Sequence, residues 1–205
     1  MAARKTGVKD ATNDAAPAIQ LDRPYKADIE VKGLADLLFH RYSVEAVEEK
    51  GQGKGTRKSK TDDVDSYVYR CTDGTLGLPT LNFCRALAIA AKSFKDPRSA
   101  RKSAHDLFNA GIVPQVDREM TSFGVVDWDY LDRRRAVVNN GAITRVRPAL
   151  LRGWTATFHI EVLAAAHIDP DTLKRVVDEA GMFQGLGDYR PTFGRFTVMG
   201  FYTYQ

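Results

Sequence analysis

Three stretches of this chain alternate apolar and polar residues with a period of two, and they constrain its fold more than any other feature. In KADIEVKG, Ala27, Ile29 and Val31 fall on one face, and Lys26, Asp28, Glu30 and Lys32 on the other. WTATFHIEVL sets Trp154, Ala156, Phe158, Ile160 and Val162 against Thr155, Thr157, His159 and Glu161. RFTVMGFY sets Phe196 and Val198 against Arg195 and Thr197. Such alternation specifies strands buried on one side only. Their apolar faces need a cover.

Helical segments supply it. In LPTLNFCRALAIAAKSFKD, Phe83, Leu87, Ala90, Ala91 and Phe94 recur at helical spacing. Further on, Asp169 and Pro170 read as an N-cap and a first-turn proline, Leu173, Val176, Val177 and Ala180 as the apolar stripe, and Gly181 as the terminating residue. A shorter helix is expected over about 99 to 110, ending at Gly111, and LADLLFHRYSVEAVEEK has helical spacing at least in its second half. Asn140-Gly141 between two β-prone runs predicts a hairpin. The order strand, helix, two or more strands, helix, strand predicts an α+β fold. Its expected form is a ferredoxin-like (RRM-like) βαββαβ sheet with the helices on one face, the other face open, and long basic insertions.

A chain of 205 residues, 43% hydrophobic, suits a single domain over 23–205. Residues 1–22 lack a sustained period and read as a disordered arm. Gly51 to Asp63 contains no apolar residue, so about 51–66 reads as a flexible basic insertion. Cys71 and Cys84 have neither metal-ligand spacing nor a disulfide framework. No signal peptide or membrane-length apolar run occurs, so a cytoplasmic protein with no cofactor, no metal and no membrane partner is expected.

The charge is unevenly spread. From Asp132 to Gly153 six arginines, Arg133, Arg134, Arg135, Arg145, Arg147 and Arg152, face one acid. A two-residue turn at Asn140-Gly141 would set Arg134 opposite Arg147 and Ala136 opposite Arg145. Like charges across a strand pair cost stability, so the cluster points to an anion, and a line of guanidinium groups suits a phosphate backbone. The rival reading is a solvated hairpin paired to Asp129 or Asp132.

GLGDYRPTFGRF, just before the last strand, raises a matching choice. Gly185 and Gly187 permit close approach of backbone to phosphate, Arg190 and Arg195 bring charge, and Tyr189 and Phe193 offer faces for stacking bases. The same composition also makes a tight turn. In the insertion, Lys54, Arg57, Lys58 and Lys60 form either a clamp over a bound strand or a solvated linker. Material for catalysis is sparse: His40, with Asp62, Asp63 and Asp65 as candidates for a metal-dependent alternative. His105 and His159 have no evident companion.

Two motifs resemble a known pattern. GLPTLNFCRALAIAA resembles the strand-to-helix segment of RAMP-superfamily proteins, and GLGDYRPTFGRF resembles the glycine-rich loop before their last strand. With its single-domain plan and insertions, the chain is most similar to Cas7-like backbone subunits of CRISPR effectors, and to uncharacterised bacteriophage proteins of the same arrangement. The resemblance implies RNA-backbone contact at Gly185, Gly187, Arg190 and Arg195, and makes the 51–66 insertion similar to a thumb or finger.

The expected function is therefore non-catalytic binding of a guide or other single-stranded RNA along a basic face, in the cytoplasm of a bacterial or phage-infected cell. Self-assembly along the strand or association with other effector subunits goes with it. The alternatives are a ribonuclease using His40 or the Asp62, Asp63, Asp65 cluster, and a phage single-stranded-DNA-binding protein.

Overall fold

In the computed structural model, Tyr25–Gly33 forms a strand (β1) between two antiparallel neighbours, Thr155–Val162 (β9) and Phe196–Tyr204 (β10). Ile112–Pro114 (β5) pairs with the far side of β9, so the sheet runs β10-β1-β9-β5, antiparallel throughout. The structure describes residues 23–41, 64–138 and 141–205. The N-terminal arm, the second half of the helix expected after Leu34, and most of the basic insertion with Lys54, Arg57, Lys58, Lys60, Asp62 and Asp63 lie outside the described residues.

The period-two pattern is realised as expected. Ala27, Ile29, Val31, Ala156, Phe158, Ile160 and Val162 are buried, and their neighbours along the strands are half-buried or exposed. Helix Thr80–Ala90 (α1) and helix Pro170–Glu179 (α3) bury Phe83, Leu87, Leu173, Val176 and Val177 in the same core. Phe83 stacks on Phe158 at 4.2 Å between ring centroids and lies 5.9 Å from Phe196. A fully buried side chain of this size contributes about 1.5–3 kcal/mol. The fold is thus α+β, with antiparallel sheets and, among the described residues, three helices.

Two smaller sheets lie beyond this frame. One joins Leu37–Leu38 (β2), Gly141–Leu150 (β8) and Tyr130–Val138 (β7) in the order β2-β8-β7. The other joins Tyr69–Arg70 (β3), Leu76–Pro79 (β4) and Met120–Ser122 (β6), strands too short to display a period.

Several expectations are corrected. The helix expected from about residue 99 covers only His105–Gly111 (α2). Before it, the Asp96 carboxylate accepts from the backbone and guanidinium of Arg98, and Lys95 bridges Ser103, which holds the chain in a turn. Gly181 does not end α3: the chain runs on through a π turn, Ala180–Gln184, and Gly185 at φ 67° ends it. The hairpin register differs by two residues, with Val138 opposite Gly141, Arg134 opposite Arg145 and Asp132 opposite Arg147. A shift of two keeps every side chain on its face. The open face of the main sheet is not basic: it sets Lys26 and Lys32 beside Asp28, Glu30 and Glu161. The arginine hairpin belongs to a separate sheet.

Candidate nucleic-acid interface

Strand pairing places Tyr130, Asp132 and Arg134 of β7 on one face with Ala149, Arg147 and Arg145 of β8. The glycine-rich loop, residues 185–195, docks against this face and against β2. The Asp188 amide donates to the Leu38 carbonyl at 2.8 Å, that of Gly194 to the Asp36 carbonyl at 2.7 Å, and that of Leu186 to the Gly194 carbonyl at 2.9 Å. Gly187 sits at φ 72°, and a Cβ there would lie 2.5 Å from the Leu38 carbonyl oxygen. Its lack of a side chain is therefore required by packing within the protein.

Docking brings the loop's rings onto the arginines. Phe193 packs among Leu38, Ala149 and Tyr130. The Arg134 guanidinium carbon lies 4.6 Å from the Phe193 centroid and 5.7 Å from that of Tyr189, and the Arg147 guanidinium carbon lies 5.5 Å from Tyr189. Contacts of this kind contribute about 0.5–2 kcal/mol, more where desolvated. Tyr189 and Phe193 meet edge to face at 5.9 Å.

Carboxylates complete the cluster. Arg134 Nε donates to Asp132 Oδ1 at 2.7 Å, and Arg147 Nε to Asp188 Oδ2 at 2.6 Å. Burial pushes the Asp188 carboxyl up, but the hydrogen bonds from Arg147 and the Tyr189 backbone, with the charges of Arg147 and His40, together outweigh it and hold the group below the usual carboxylate range. Arg147 is only 2% exposed, so its anion is Asp188 rather than solvent. Asp36 braces the assembly: its carboxylate accepts from the Tyr130 hydroxyl at 2.8 Å and from the Arg152 amide at 2.8 Å. Burial and that hydrogen bond push the Tyr130 hydroxyl up to about 12.

The arginine cluster and the glycine loop thus form one surface, and the like-charge pair Arg134–Arg145 is offset in part from within. Arg133 and Arg135 are exposed on the opposite hairpin face, Arg152 and Arg190 are exposed, and Arg145 is half-buried. Their side chains make no hydrogen bond or ion pair with the described residues. Arg195 is exposed at the start of β10, its carbonyl accepting from Leu34 and Ala35, and no contact joins its side chain to the cluster.

The candidate catalytic groups are dispersed. His40 lies 5.3 Å from the Tyr67 ring, and its Nδ1 is buried without a hydrogen-bond partner among the described residues. Burial lowers its pKa, Asp188 acts against this, and Arg145 and Arg147 reinforce it. Asp65 is held by Arg70 at 2.6 Å. Among the described residues no cluster of three metal-ligating side chains occurs.

Two histidines do have companions, contrary to expectation. His105 Nδ1 lies 2.9 Å from Asp106, and His159 Nδ1 lies 2.7 Å from Asp28, its direct partner across the β1–β9 pair. The signal for the second was present: both residues occupy outward positions of one-sided strands. Register alone brings them together.

Among known proteins, the sequence matches no family model and no curated protein. Among solved structures, it is similar at a TM-score of 0.48 and 12% identity to a chain of the structure described as "Cryo-EM structure of the Type III-B Cmr-beta bound to cognate target RNA". The match covers 90% of this chain and 63% of that one.

Proposed function

We propose that the protein binds single-stranded RNA along the arginine hairpin and the loop docked on it, without sequence preference. The observation that carries this reading is the contact of Arg134 with Phe193 and Tyr189, which makes two separately basic segments one surface of guanidinium groups and rings. Exposed arginines neutralise phosphates, and the exposed Tyr189 ring stacks bases of any identity, whereas Phe193, buried among Leu38, Ala149 and Tyr130 and capped by Arg134, holds the loop in place instead of stacking a base. Arg145, Arg152 and Arg190 carry the electrostatic attraction on the loop side, and Arg133 and Arg135 add charge from the opposite face of the same hairpin. Arg147 has a structural part, tied to Asp188. The glycines shape the loop for β2, and the strand meets the side chains that this shape presents.

The sheet order β10-β1-β9-β5, with a helical connection between β1 and β5 and another between β9 and β10, supports the ferredoxin-like, RAMP-like reading of the domain. In that reading the chain is a backbone-type subunit, holding a guide or similar strand through its phosphates, and further copies can occupy the same strand. Filter binding with labelled RNA and the corresponding single-stranded DNA tests it. Tight RNA binding that weakens steeply with salt is expected. A preference for DNA would replace RNA as the ligand, and no binding to either would overturn the proposal.

A further inference from the structure

The main sheet ends in two unlike edges. One is β5, three residues long and closed by Pro114, which offers another strand little to pair with. The other is β10, nine residues long, FTVMGFYTY, without a charge or a proline. Its outer side pairs with nothing among the described residues. Edges of this length are normally protected by lysine, proline, a bulge or a covering segment. β10 has a bulge alone: Met199 has no partner on β1, between Val198 opposite Val31 and Gly200 opposite Glu30. A bulge disrupts pairing at its own position, so the regular free edge is 200–204.

On the open face of this edge, register with β1 sets Tyr204 beside Lys26, Tyr202 beside Asp28 and Gly200 beside Glu30. On the helix face it sets Thr203 beside Ala27 and Phe201 beside Ile29. Tyr202 is 56% exposed. Lys26 and Glu30 are exposed too, and neither makes a hydrogen bond or ion pair with the described residues. Glu30 leans toward the edge, since a Cβ on Gly200 would lie 2.7 Å from its carboxylate oxygen. The edge therefore carries a basic row at one end and an acidic row at the other, with Tyr202 midway between them.

We infer that β10 is a self-pairing edge whose occupant is the same segment of a second copy of this chain, antiparallel and related by a two-fold axis at Tyr202. That axis sets Gly200 opposite Tyr204 of the second copy, so the Lys26 row of each copy runs into the Glu30 row of the other. The two charged residues then stand three strand spacings apart, about 14 Å between Cα atoms, a span that a lysine and a glutamate reaching toward each other can close. Tyr202 meets its own counterpart at the axis as an aromatic cross-strand pair. Backbone groups along the edge gain partners. The contact is isologous and closes at two copies, unlike assembly along a nucleic-acid strand, which has no fixed end. It needs no RNA. So short an edge belongs with the small interfaces, below about 1,200 Å² of buried surface, and these associate weakly.

The test is sedimentation velocity of the full chain, nuclease-treated and free of nucleic acid, over a range of concentrations at low salt, with hydrogen exchange on the same samples. Dimers that grow with concentration and stop at two copies are expected, with amides of 200–204 exchanging more slowly as they form. Tyr202→Lys sets like charges directly opposite each other at the axis and should weaken the dimer about tenfold, with the melting temperature retained. Lys26→Glu and Glu30→Lys should each weaken it alone, and an equimolar mixture of the two variants should restore it, because every acidic row again faces a basic one. A protein that stays monomeric at every concentration would overturn the inference and leave the edge to an extended segment of a different protein. A dimer indifferent to Tyr202→Lys, or a mixture no stronger than either charge variant alone, would overturn it as well.

Discussion

The guanidinium of Arg134 lies over the ring of Phe193 at 4.6 Å while its Nε donates to Asp132 at 2.7 Å, so one arginine joins the hairpin to the loop by two different interactions. Phe193→Leu keeps the apolar contacts to Leu38 and Ala149 but removes the ring. The expected loss is about 1 kcal/mol of stability, read from the denaturant midpoint. Weaker RNA binding per folded molecule should accompany it.

Asp188→Asn leaves Arg147, 2% exposed, without its anion. Breaking a buried ion pair costs about 3–5 kcal/mol. The Asp188 side chain is 32% exposed, which places the expected loss near the lower end of that range. Urea unfolding at neutral pH measures it.

The same carboxylate gives a pH dependence of defined sign. Its folded pKa lies below the unfolded value, so the stability it contributes is fully present above the unfolded value and is lost as pH falls through the folded one. Wild-type stability should therefore decline on acidification below about pH 4. Asp188→Asn should be less stable at neutral pH but lack this part of the decline.

Gly187→Ala sets a methyl group against the Leu38 carbonyl at a positive φ. A loss of more than about 1 kcal/mol is expected. Arg190→Ala, at an exposed position of the same loop, should leave the melting temperature unchanged and reduce RNA affinity. A folded Arg190→Ala variant with undiminished affinity would remove the loop from the interface.

Legibility in the sequence followed the strength of periodic signals. The segments that became β1, β9, β10, α1 and α3 were readable because each carries enough alternating or helically spaced residues to define a face. The β3-β4-β6 sheet was not, since two to four residues per strand define none. For the hairpin, Asn140-Gly141 indicated the turn, yet Asn139 also suits one, and the register moved by two.

The arginines of the site were visible, but the acid that pairs with Arg147 Nε lies 41 residues away, in a loop whose docking on β2 no local pattern reveals. Asp28 and His159 are 131 residues apart and meet only through strand register. The glycines of the loop were read as a phosphate cradle, while Gly187 is required by the backbone of Leu38. Partners at long separation are what a single sequence hides best.

The central claim is that exposed hairpin arginines hold RNA through its phosphates. The most direct measurement is the slope of log affinity against log salt for single-stranded RNA, in wild type and in the Arg133→Glu, Arg135→Glu, Arg145→Glu variant. Removing one arginine–phosphate pair lowers the slope by about 0.7. The account therefore predicts a variant that binds weakly, with a slope smaller by about 2 when all three arginines engage phosphates. Wild-type affinity with an unchanged slope in a folded variant would contradict it.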